Sequence, residues 1–79
     1  MKIDGKKVGV ELRALRIKNK RSAIETAKYM GINIGTFYRY ERDASRLNIG
    51  LLEKLLDYYG SNLSIFFKMI SEYNHNEEK

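Results

Sequence analysis

Cysteine, proline and tryptophan are absent from this 79-residue chain. Without cysteine there is no disulfide to staple a small core and no thiolate for metal or redox chemistry, which fits a reducing compartment. Without proline, helices must be broken by glycine, asparagine and serine. Histidine occurs once, as His75 in a polar tail, so the commonest general acid–base residue has no companion. There is no glycine-rich phosphate loop and no cluster with metal-ligand spacing, and most routes to catalysis go with them. The reading is therefore a binding protein rather than an enzyme, with no cofactor and no small-molecule ligand. No apolar run approaches the roughly 20 residues that span a bilayer. Residues 1–7 contain no apolar stretch of signal-peptide type. A soluble, cytoplasmic protein with no membrane partner is expected.

A chain of this length makes a single domain, with a core over about residues 7–73 and a flexible polar tail at 74–79. It leaves no room for a second, ligand-sensing domain. A core this small confers only marginal stability, so a self-association surface is a natural supplement. What the chain has in excess is positive charge: +5 overall, with a sequence pI near 9.6. Residues 1–54 hold thirteen Lys and Arg against six Asp and Glu, giving +7, whereas residues 55–79 hold two against four, giving −2. A basic surface attracts polyanions and gains affinity by releasing their counterions.

Apolar positions recur at helical spacing and nothing alternates with period two for long, which predicts an all-helical fold. Val8, Leu12 and Leu15 give a first helix over about residues 7–19. Ser22, with Glu25 three residues on, forms a capping box for a second helix that starts at Ala23 and ends near Met30, closed by Gly31. Asn33 caps a third helix running to about Arg42, with Phe37 and Tyr40 inward. Residues 43–47 read as a polar loop. Asn48 caps a fourth helix carrying Leu52, Leu55, Leu56 and Tyr59, closed by Gly60. A fifth begins near Leu63 and shows Phe66, Phe67, Ile70 and Tyr73. With six Tyr and three Phe in the chain, base stacking on single strands is conceivable. Helical spacing assigns Phe37, Tyr40 and Tyr59 to the core instead.

Residues 22–41, SAIETAKYMGINIGTFYRYE, thus read as two short helices broken by one tight turn, the layout of a helix-turn-helix whose second helix enters the DNA major groove. Over residues 8–67 the chain resembles the small DNA-binding domain of Cro and phage repressors. The marks are Leu12-Arg13-Ala14-Leu15-Arg16, then Ala27 and Gly31-Ile32 at the turn, then Thr36 with Tyr40-Glu41. The resemblance implies a five-helix, lambda-repressor-like all-α domain and an ion pair between Arg16 and Glu41. It also carries base reading onto Asn33, Ile34, Gly35, Tyr38 and Arg39. Arg39 leads, because arginine can donate two hydrogen bonds to guanine O6 and N7. Phosphate contacts fall to Arg21, Ser22, Thr36, Arg42 and Arg46, which would fix register without reading sequence; Ser22 has capping as its alternative duty.

Three positions depart from the family pattern. Gly35 stands where a polar base-reading side chain is common, Ala23 replaces a frequent glutamine, and Arg21 replaces an apolar residue. The segment Ile65-Phe66-Phe67-Lys68-Met69-Ile70 is more apolar than one small core needs. It predicts a homodimer held by Ile65, Phe66, Met69, Ile70 and Tyr73, placing two recognition helices on half-sites of an operator in double-stranded DNA, about 34–36 Å apart. Regulation would follow from blocking or recruiting RNA polymerase. Arg46-Leu47-Asn48-Ile49 and the 66–70 ending also resemble the controller proteins of restriction-modification systems. The residues leave two alternatives open: a phage, plasmid or mobile-element repressor, and an interaction module of this fold that has lost DNA binding.

Overall fold

The structure, a computed structural model, describes the backbone of residues 4–77 and the side chains of residues 4–71. The helices are α1 (Gly5–Lys18), α2 (Ala23–Met30), α3 (Ile34–Arg42), α4 (Ile49–Tyr58) and α5 (Leu63–Glu77), with a 3₁₀ turn over Ala44–Arg46 between α3 and α4. No strand occurs among the described residues, in agreement with the all-α, five-helix expectation.

In a chain without proline, side-chain caps set the boundaries. Every helix start carries a short polar residue whose side chain accepts a hydrogen bond from an otherwise orphaned backbone N–H. Asp4 accepts from Lys6 at 2.9 Å, Ser22 from Glu25 at 3.0 Å, Asn33 from Thr36 at 2.8 Å, Asn48 from Leu51 at 2.8 Å and Asn62 from Ile65 at 2.9 Å. The Asp4 cap starts α1 at Gly5, two residues earlier than apolar spacing alone predicts.

Helix ends repeat one device. After α2, Gly31 turns left-handed at φ 74° and donates to the Lys28 carbonyl while Ile32 donates to that of Ala27, both at 3.1 Å. After α4, Gly60 at φ 77° donates to Asp57 and Ser61 to Leu56 in the same pattern. These pairs satisfy carbonyls that a helix end would otherwise leave bare.

The core runs through all five helices, with Leu12, Phe37, Leu55, Leu56 and Phe66 almost wholly buried. α3 packs on α1 and α2, α4 bridges α2 and α5, and α5 reaches back to α1. Thr26, fully buried, donates its hydroxyl to the Ser22 carbonyl at 2.7 Å, so it adds no unpaired polar group.

Several expectations need correction. Residues 43–47 are not an irregular loop: Asp43 caps the 3₁₀ turn by accepting from Ser45 at 3.0 Å, and Ala44 is buried. Tyr40 is half-buried rather than fully inward. Helix α5 is assigned to Glu77, beyond the end expected near Tyr73, and only residues 78–79 of the expected tail lie outside the described backbone. Phe66 and Ile70, taken as dimer contacts, are 0% and 2% exposed and belong to the monomer's own core. Their i, i+4 spacing puts both on one stripe of α5, and that stripe faces inward. Ile65 and Met69, one residue earlier in each case, lie on the adjacent stripe, with Ile65 exposed and Met69 half-buried. The side chain of Tyr73 lies outside the described residues.

Candidate nucleic-acid interface

Placement of α3 begins with Gly9 on α1. A Cβ at Gly9 would run into the Glu41 carbonyl oxygen and come within 2.9 Å of its carbonyl carbon, so the two helices cross at a distance only glycine permits. A Cβ at Gly5 would likewise strike the Asp43 carboxylate and lie 2.7 Å from the Ser45 nitrogen. Neither glycine stands out by sequence alone, since both lie inside a helical pattern.

The crossing is locked by the pair the family resemblance implied. Arg16 Nε donates to Glu41 Oε2 at 2.6 Å and its Nη2 donates to Oε1 at 3.2 Å, a two-pronged fork. Both side chains are largely buried, at 11% and 6% exposure. The third arm, Nη1, donates to the Arg21 carbonyl at 3.0 Å, tying the link before α2 to the same group. The guanidinium also lies 5.8 Å from the centre of the Phe37 ring. The hydrogen bond to Glu41 raises the Arg16 pKa further above its already high value, against the opposing effect of burial. Removing one partner of such a pair strands the other charge and typically costs about 3–5 kcal/mol. Both side chains are thereby committed to the α1–α3 crossing.

With α3 held this way, its remaining side chains divide between two flanks. On one, Thr36, Arg39 and Tyr40 meet Asp43, Ser45 and Arg46 of the following turn around a cleft of about 280 Å³. Two of the predicted phosphate contacts, Thr36 and Arg46, therefore share a cleft with the predicted base reader. Arg39 and Arg46 are exposed, and their side chains make no hydrogen bond or ion pair with the described residues. The Asp43 carboxylate is held below its ordinary pKa by the Ser45 N–H first and the Ser45 hydroxyl second. It is thus ionised and committed to the turn. On the other flank, Gly35, Tyr38 and Arg42 border a larger groove against α1.

At the front of α3, Asn33 spends its carbonyl oxygen on the Thr36 cap and keeps its amide N–H groups available, while Ile34 is 38% exposed. Gly35 is exposed, and a Cβ there would meet only Asn33 Oδ1, at 3.4 Å. Ser22 caps α2 as its alternative duty required. Arg21 places its guanidinium over Tyr58, 4.3 Å from the ring centre. Tyr58 in turn stacks on Tyr29 at 4.3 Å and 21°, and Lys54 sits 5.2 Å from the Tyr29 ring. This ladder pins α2 to α4 through cation–π and stacking contacts. The Lys and Tyr spacing that builds it crosses two helices, so no single-helix pattern reveals it.

The arrangement can dock a helix front on a duplex and neutralise phosphates beside it, which is what DNA recognition requires. No helix among the described residues is long and apolar enough to cross a membrane. No curated protein and no solved structure matches the chain. A helix-turn-helix family model matches residues 12–66, which include the turn, the Arg16–Glu41 pair and the whole of α3. The chain accordingly belongs to the Cro/C1-type helix-turn-helix family and is a DNA-binding transcription regulator.

Proposed function

We propose that the protein acts as a homodimer occupying an operator in double-stranded DNA, and that it regulates by occupancy rather than by catalysis. The observation that carries this reading is the cleft where exposed Arg39, on the recognition helix, stands beside Thr36 and Arg46. One unpartnered arginine faces the groove edge, and a second cation and a hydroxyl lie where the adjacent phosphate would run. Arg39 reads guanine, Asn33 and Ile34 add an amide and an apolar contact, and Arg21, Arg42 and Arg46 supply sequence-independent charge. Exposed Ile65 with half-buried Met69 supports the second subunit on α5. RNA polymerase is then blocked or recruited according to where the operator lies, and protein concentration is the input. Autoregulation as a restriction-modification controller is the finer form of this reading, supported by the resemblance at residues 46–49. Adjacent methyltransferase and endonuclease genes would select it over a phage or plasmid repressor.

The test compares two variants on duplexes selected from a random pool. Arg39→Ala should lose about 1–3 kcal/mol of preference at particular base pairs. Arg46→Ala should weaken every sequence alike and reduce the salt slope by about one. If both variants bind as tightly as the parent at moderate salt, DNA reading by α3 is wrong and the interaction-module alternative takes its place.

A further inference from the structure

Helix α1 has two apolar stripes. Val8, Leu12 and Leu15 face the core, while Val10, Ala14 and Ile17, at the same i, i+4, i+7 spacing, face outward. Val10 is 61% and Ile17 55% exposed. Across from them Tyr38 of α3 is 48% exposed, and together they wall a groove of about 920 Å³. Gly35, which carries no side chain, lines the α3 side of that groove. An exposed apolar surface flanked by polar groups marks an interaction site more often than a solvated face.

The charges around the groove narrow the occupant. Arg13 and Arg42 line it, and their side chains make no hydrogen bond or ion pair with the described residues. The one carboxylate in the lining, Glu41, is consumed by Arg16. The groove is therefore apolar along its wall and positive along its rim. A duplex could meet Arg42 with phosphate, but its solvated backbone offers nothing to cover Val10 and Ile17. A second copy placed face to face would set these arginines against their own counterparts.

We propose that the α1–α3 groove is the docking site for an acidic amphipathic helix of a partner protein, and that this partner excludes DNA. The apolar stripe spans two helical turns, which suits anchors at i, i+3 and i+7 of an incoming helix. Exclusion follows because Gly35, Tyr38 and Arg42 belong both to the groove and to the DNA-facing set. That half of the inference rests on the proposed function; docking itself does not.

The probe is a synthetic helical peptide of about five turns, with leucine along one stripe and glutamate elsewhere. A lysine-for-glutamate version serves as control. Titrated into the isotope-labelled full chain without DNA, the glutamate peptide should move the amide signals of residues 10–17 and 35–42. Ile17→Ser should weaken it by about tenfold with the helical circular dichroism unchanged. Arg13→Glu should weaken the glutamate peptide and strengthen the lysine one. A duplex selected from a random pool should then displace the bound peptide. Equal binding of the lysine peptide to the parent chain, or shifts centred on α5, would overturn docking. If Ile17→Ser and Arg13→Glu leave peptide binding intact but weaken the duplex, the groove belongs to DNA and only the partner is lost. Simultaneous binding of peptide and duplex would overturn exclusion.

Discussion

Lys20 holds, at φ 57°, the place that Gly31 and Gly60 hold after α2 and α4. Its N–H donates to the Ile17 carbonyl and that of Arg21 to Arg16, both at 3.0 Å, so α1 ends on the same device without glycine. A left-handed non-glycine residue costs about 1–2 kcal/mol, and glycine loses about 0.5–1 kcal/mol of that through its greater freedom when unfolded. Lys20→Gly should therefore stabilise the domain by up to about 1 kcal/mol, seen as a higher urea midpoint at unchanged slope. Tyr59 offers a pH test. Its hydroxyl is buried without a hydrogen-bond partner among the described residues, and burial first, then the Glu41 charge, raises its pKa well above the ordinary 10.0. The folded protein keeps this proton where the unfolded chain would release it. Its contribution is whole below about pH 10 and is lost as pH rises beyond that. Tyr59→Phe should change stability by no more than about 0.5 kcal/mol at neutral pH. It should also flatten the alkaline decline relative to the parent in denaturation series; an unchanged decline would assign it to other groups.

Among the elements, the α1–α3 crossing decides most. Gly9→Ala puts a methyl group against backbone atoms of Tyr40 and Glu41, which cannot swing aside as a side chain would. The helices must separate and pull on the Arg16–Glu41 fork, so a loss of about 1–3 kcal/mol is expected. Gly35→Ala is the control, since the same added methyl meets only the Asn33 side-chain oxygen at 3.4 Å, an ordinary contact distance. There the better helix propensity of alanine should raise stability by up to about 1 kcal/mol. Thermal unfolding of the two variants should move in opposite directions, and a shared direction would show that the crossing is not the constraint.

For the whole molecule, the +7 carried by residues 1–54 and the −2 beyond them separate a DNA-attracting part from the part assigned to self-association. Ile65→Asp removes an exposed apolar group from α5 without touching the core stripe of Phe66 and Ile70. Sedimentation over a dilution series should show a dimer for the parent chain and a dissociation constant raised by about tenfold or more for the variant. Monomer at every concentration, with or without DNA, would remove the dimer.

Much of this was legible in the chain itself because it depends on local chemistry. Ser22, Asn33 and Asn48 mark helix starts, Gly31 and Gly60 mark ends, and 3.6-residue periodicity marks the buried positions of α1, α3 and α4. The Arg16–Glu41 pair followed from resemblance alone, since residues 25 apart carry no local signal of contact. Only the tertiary structure could decide which stripe of an apolar helix faces inward. It turned Phe66 and Ile70 into core, left Val10 and Ile17 outside, and gathered Thr36, Arg39 and Arg46 into one cleft. Periodicity records that two faces exist, but which of them is covered depends on neighbours brought close by the fold.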